Sequence, residues 1–202
     1  MFRSLVALVF AAFWLTGCGG MRLVESDVRS YATPPLVPPG ASYRFERLLS
    51  QQADVARQTR LEAMTQQALA KVGLQRNDAA ARYSVQVSAA MKVTPYAPWD
   101  QPAPGWGLGW NLGLGVHSGN VLLMGSTGWP GFGMGESPYY WRQVSLIIRN
   151  LSTAQVVYET HATHDGRWAD SEAVIPAMLD AALKGFPNPP PGVRRINIEI
   201  PR

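Results

Sequence analysis

The chain has 202 residues, 18 Lys+Arg against 14 Asp+Glu and a formal net charge of +4 at pH 7, enough for one domain with a sizeable core. Its arginines are scattered and no run of five or six like charges occurs, which argues against a nucleic-acid tail. A single cysteine, Cys18, excludes a disulfide framework and a multi-cysteine metal site.

In chain order, Arg3 precedes an uninterrupted apolar run, Leu5 to Leu15. Eleven helical residues span about 17 Å, against a hydrocarbon core of roughly 30 Å, so the run is too short to cross a bilayer. A basic tip, a short apolar segment and small residues after it read as a secretory signal over residues 1–17. The stretch Leu15-Thr16-Gly17-Cys18 resembles the lipobox of bacterial lipoproteins, in which Leu15, Thr16 and Gly17 would be read by the signal peptidase. That resemblance implies that the Cys18 sulfur takes a diacylglyceryl group and that its freed amine takes a further acyl chain. Residues 18–21 are then an acylated tether, and the membrane is a partner through the acyl chains. Gly19 and Gly20, where an aspartate would retain such a protein at the inner membrane, imply the periplasmic face of the outer membrane.

Residues 22–31 and 42–47 read as strands divided by Pro34, Pro35, Pro38 and Pro39, which cannot donate to a ladder and so mark a loop. Over 53–72, Leu61, Met64, Ala68, Leu69 and Val72 recur at helical spacing, with Gly73 as the stop. From 82 to 93 the period becomes two, with Tyr83, Val85, Val87, Ala89, Met91 and Val93 on one side. After a Gly-rich stretch, Val144, Leu146 and Ile148 alternate again. "NLSTAQ" then turns the chain and "VVYETHAT" returns, most simply as an antiparallel hairpin. Residues 171–184 read as a second helix capped by Asp170 or Ser171, with Pro176 at odds with its first turn. Ile196, Ile198 and Ile200 supply a last strand. The expected fold is α+β: one domain over 22–202, a mostly antiparallel sheet of about five to six strands, two helices packed on one face, and a long insert at 95–138.

This order, with the strand "SYRFER", the helix "RLEAMTQQALAKVGLQ", the strand "ARYSVQVSAAM", the Gly/Trp-rich insert, the hairpin "SLIIRNLSTAQVVYETHA" and the close on Phe186-Pro187, resembles the bacterial lipoprotein family of domain of unknown function 4136. The resemblance covers roughly residues 22–187. It departs from the family at Tyr158, where a tryptophan is common, and at Pro176 in the closing helix. It implies a fold and an envelope location, and no activity.

The insert holds eleven of the nineteen glycines, four of the seven tryptophans (Trp99, Trp106, Trp110, Trp129) and two charges, Asp100 and Glu136. No G-x-G-x-x-G lies between a strand and a helix and no Gly-Lys-Ser/Thr follows, so a phosphate cradle is not indicated. Two readings stand: an irregular hairpin whose aromatics lie on the sheet, or an aromatic surface for lipid headgroups or an envelope protein. The polar cluster "HATHDGRWADSE" holds His161, His164, Asp165, Asp170 and Glu172. An odd separation puts His161 and His164 on opposite strand faces, away from a shared metal. With no G-x-S-x-G elbow and no H-E-x-x-H helix, the expectation is a non-catalytic binding or structural module with no cofactor and no metal. The alternative is an envelope hydrolase or metal-dependent enzyme with a site near His161 and His164.

Overall fold

The computed structural model describes residues 20–94 and 138–201. The lipobox residues and the insert's four tryptophans lie outside them. The first strand, β1 (Met21–Ala32), alternates exposed and buried side chains along nearly its whole length, the signature of a strand with one covered face. A proline-bearing loop then leads to β2 (Ser42–Phe45), the short helix α1 (Leu49–Gln52) and the long helix α2 (Val55–Lys71). The two-residue strand β3 (Gln75–Arg76), β4 (Tyr83–Thr94), β5 (Tyr139–Asn150), β6 (Val156–Gly166), α3 (Ser171–Ala182) and β7 (Val193–Pro201) complete the order.

The strands form one sheet in the order β3-β2-β4-β5-β6-β1-β7. It is a mixed sheet of seven strands with three helices among the described residues, where the sequence suggested a mostly antiparallel sheet of five to six strands and two helices. The parallel part is β2, which runs alongside both β3 and β4. The physical reason is the helix between them. A strand that feeds α2 and is followed by its sheet neighbour must re-enter from the same end, which makes the pair parallel. The remaining pairs, β1 with β6 and β7, β5 with β4 and β6, are antiparallel. The expected hairpin on "NLSTAQ" is present as β5–β6.

Helices α2 and α3 pack on each other and on one sheet face. That face is built from Val24 and Val28 of β1, Val85 and Val87 of β4, Val144, Leu146 and Ile148 of β5, Tyr158 and Ala162 of β6, and Ile196 of β7. They meet Leu69 of α2 and Val174, Met178 and Leu179 of α3. Asp54 caps α2 by accepting from the Arg57 N–H. At its other end, Gly73 (φ +85°) and Leu74 donate to Ala70 O and Leu69 O, the paired bonds that close a helix through a left-handed residue. At the end of α3 the Ala182 oxygen accepts from the Tyr158 and Thr160 hydroxyls, and just beyond the helix Lys184 O accepts from Arg194 Nη1. Pro176 lies inside α3. The acceptor its ring leaves without a donor is the carbonyl of Glu172, an exposed residue, so solvent can satisfy it.

The register fixes what shares each end of the sheet. Met21 pairs with Pro201, Tyr140 with Gly166 and Thr94 with Tyr139. The start of β1, the finish of β7, the β6–α3 connection and both roots of the 95–137 segment therefore gather at one end. Tyr31, Val193 and Val156 mark the opposite end.

Candidate functional site

Two polar clusters emerge, one on each sheet face. On the helix-covered face, Arg142 of β5 and His164 of β6 are direct register partners, and Arg22 stands nearer the Met21 end of β1. Arg142 is 1% exposed. Its Nε donates to Ser171 Oγ at 2.9 Å and its Nη2 to the Trp168 carbonyl at 2.6 Å, while the guanidinium lies 5.0 Å from the centre of the Tyr140 ring. Burial pulls its pKa below the usual arginine value. Arg22 donates from Nη2 to Asp170 Oδ2 at 2.8 Å and lies 5.4 Å from the Trp168 ring centre, a cation–π distance. Asp170 also caps α3 by accepting from the Ala173 N–H. That backbone bond first, and Arg22 second, hold its carboxyl below the ordinary carboxylate range. The two arginines thus pin the β6–α3 connection onto the sheet.

His164, 5% exposed, donates from Nδ1 to the Glu25 carbonyl at 2.6 Å, and its Nε2 is the other ring nitrogen on this buried face. Among the described residues that Nε2, Arg142 Nη1, Arg22 Nε and Ser26 Oγ are buried without hydrogen-bond partners.

On the open face, Ser145 of β5 faces His161 of β6 as its register partner, with Oγ 2.8 Å from His161 Nδ1. His161 Nε2 is 2.7 Å from Glu159 Oε1, two residues away on the same side of β6. The result is a hydroxyl–imidazole–carboxylate chain on an exposed sheet surface. The strand backbone N–H groups around it belong to the β5 ladders on both sides, so no pair of them is aimed at a developing oxyanion.

The two histidines singled out in the sequence therefore lie on opposite faces, as their spacing required. Asp170 and Glu172 sit at the start of α3, and Asp165 accepts from the Tyr139 hydroxyl. Among the described residues no group of three or more His, Cys, Asp or Glu is placed to hold a metal, and no helix is long and apolar enough to cross a membrane. Arg22, Arg142, Ser145 and Glu159 were not singled out in the sequence. Arg22 and Arg142 do fall in phase with the buried apolar positions of their strands, a readable signal. The Ser145–His161 contact depends on hairpin register, which spacing within one strand does not give.

The sequence profile described as Domain of unknown function (DUF4136) matches residues 26–188. No curated protein matches the chain. Among solved structures, a PDZ domain protein from Parabacteroides distasonis is similar with a TM-score of 0.47 and 12% identity, over 96% of this chain and 42% of that one. This chain thus spans less than half the length of that protein. A PelC dodecamer from Paraburkholderia phytofirmans is similar with a TM-score of 0.45 and 13% identity, over 82% of this chain and 99% of that one. A second crystal form of the dodecamer gives 0.43 and 12% with the same coverage.

Proposed function

The chain belongs to the DUF4136 family, and we propose from that premise that it is a lipid-anchored periplasmic envelope protein. It acts as a non-catalytic binding or structural module seated on the inner leaflet of the outer membrane. The observation that carries this reading is the spacing between the lone Cys18, preceded by Leu15-Thr16-Gly17, and the start of β1 at Met21. Three residues reach at most about 11 Å, so an acylated Cys18 holds the folded body directly on the bilayer. One acyl chain binds only reversibly, whereas two or three make release negligible. The pairing of Thr94 with Tyr139, at the same end as Met21, supports Trp99, Trp106, Trp110 and Trp129 as contacts to lipid headgroups or to an envelope protein, because the insert departs from and returns to the anchored end.

The test is Cys18→Ala in the native host. The wild-type chain is expected to incorporate labelled palmitate, gain the mass of its acyl groups and sediment with envelope vesicles, and the variant to do none of these. A variant that differs from the wild-type mature mass by the cysteine sulfur alone and still sediments would overturn the reading.

The enzyme alternative retains one specific observation, the Ser145–His161–Glu159 chain. If it is a nucleophile relay, a serine-directed fluorophosphonate will label Ser145 and His161→Ala will abolish the labelling. A protein that stays unlabelled sets the alternative aside.

A further inference from the structure

We propose that the Met21 end of the sheet is itself a membrane-docking surface, a rim of exposed side chains seated among the headgroups of the leaflet that carries the anchor. This rests on the reading of Cys18 as the acylated residue. Thirteen large apolar side chains are exposed among the described residues, and six of them, Met21, Leu23, Met91, Val93, Trp141 and Trp168, lie at this one end. Met21 and Leu23 open β1, Met91 and Val93 close β4, Trp141 stands near the start of β5, and Trp168 follows β6. Leu23 and Trp141 are on the open face. Met91 and Val93, register partners of Arg142 and Tyr140, are on the helix face. The rim therefore wraps the sheet's end over four adjacent strands, about 14 Å across.

The tether decides what covers it. With Cys18 three residues from Met21, the Cys18 backbone lies within about 11 Å of Met21, so an acylated Cys18 puts bilayer at very high effective concentration beside the rim. The chemistry suits headgroup depth. Each tryptophan has a cation beside it: exposed Lys92 is the register partner of Trp141, and exposed Arg167 precedes Trp168. Amphipathic rings flanked by basic side chains favour the membrane–water interface. A second copy of the chain fits less well, because Lys92, Asp165 and Arg167 interrupt the apolar positions and leave no continuous dry centre for a stable dimer.

The test uses the full acylated protein in phosphatidylethanolamine–phosphatidylglycerol vesicles, with one introduced cysteine at a time. Leu23→Cys, Val93→Cys and Trp168→Cys sample the rim, and Tyr31→Cys, Val156→Cys and Val193→Cys sample the far end, where those side chains are equally exposed. Thioether formation at Cys18 leaves only the new thiol to take a bimane label. Each sample is weighed by mass spectrometry for its acyl groups and then titrated with brominated lipid. At least a twofold loss of bimane emission at the three rim positions, with none at the far end, is expected. Fully acylated, vesicle-bound protein whose rim labels quench no more than the far-end labels would overturn docking and leave the anchor standing. Rim labels shielded from aqueous iodide yet untouched by brominated lipid would overturn it too, and would point to a protein cover. Missing acyl mass on Cys18 would overturn the anchor and, with it, the docking.

Discussion

Tyr43 sits on β2 at 1% exposure, its ring edge-on to Phe45 at 5.4 Å. Its hydroxyl has no hydrogen-bond partner among the described residues. A buried hydroxyl that gives up water without a replacement costs about 1–3 kcal/mol, so Tyr43→Phe is expected to leave stability at pH 7 unchanged or raise it by about 1 kcal/mol. Burial, opposed by Arg76 and aided by Asp78, pushes the Tyr43 pKa up to about 12 from 10.0. The folded form thus binds this proton more tightly than the unfolded chain does. Its contribution is fully present below pH 10 and is lost as the pH rises towards 12. Urea melts at pH 7, 10 and 11.5 check both points: wild type should lose stability on the alkaline limb and Tyr43→Phe should lose less. Equal alkaline losses would mean that another group, such as Tyr139 with its raised pKa, dominates. Arg142 poses the opposite case, a buried cation that is bonded to a backbone carbonyl and a serine hydroxyl. It fastens the β6–α3 connection, and removing it leaves those acceptors stranded.

Helix α2 depends on its stop. Gly73 adopts φ +85°, a conformation that costs an alanine about 1–2 kcal/mol, and nothing crowds the site apart from Gly40 N at 4.0 Å. Gly73→Ala is therefore expected to lower stability by about 1 kcal/mol and Tm by a few degrees, without changing the far-ultraviolet circular dichroism. A Tm equal to wild type would show that the turn relaxes to another geometry. The elements most legible in the sequence share one trait: their periodicity runs long enough to be read locally. β1, β4, β5, β6, α2 and α3 all met that condition, and their ends fall within a few residues of the expected positions. The two-residue β3 and four-residue α1 are too short to show a period. Pairing is not a local property at all, and the parallel β2 followed from the helix that separates it from β4. The candidate clusters divide in the same way. The opposite facing of His161 and His164 was legible from their separation. The Ser145–His161 contact needed the register of two strands, and the joining of Arg22 to Asp170 bridges 148 positions of chain.

At the scale of the molecule, the register makes the domain separable from its insert. Because Thr94 and Tyr139 are directly paired, residues 95–138 can be replaced by Asn-Gly to close β4 and β5 as a two-residue hairpin. The shortened chain is expected to fold with the same circular dichroism and a Tm within about 5 °C of wild type. A molten or aggregated product would show that the insert completes the core. Tyr158 and Thr160 both bond Ala182 O, and the β7–β1 ladder runs from Met21 to Arg29 of β1, so sheet and helix layers are expected to unfold together in a single transition.

The Met21–Pro201 pairing also dictates where reporters belong. A fluorescent protein or affinity handle appended after β7 would emerge beside the start of β1, and under the anchoring proposed at Cys18 a bulky fusion there would collide with the lipid surface and an antibody would be shut out. The tip between β5 and β6, residues 151–155, points the other way and carries only exposed or half-exposed side chains. An epitope spliced there would stay open to antibody while leaving both ends of the polypeptide undisturbed.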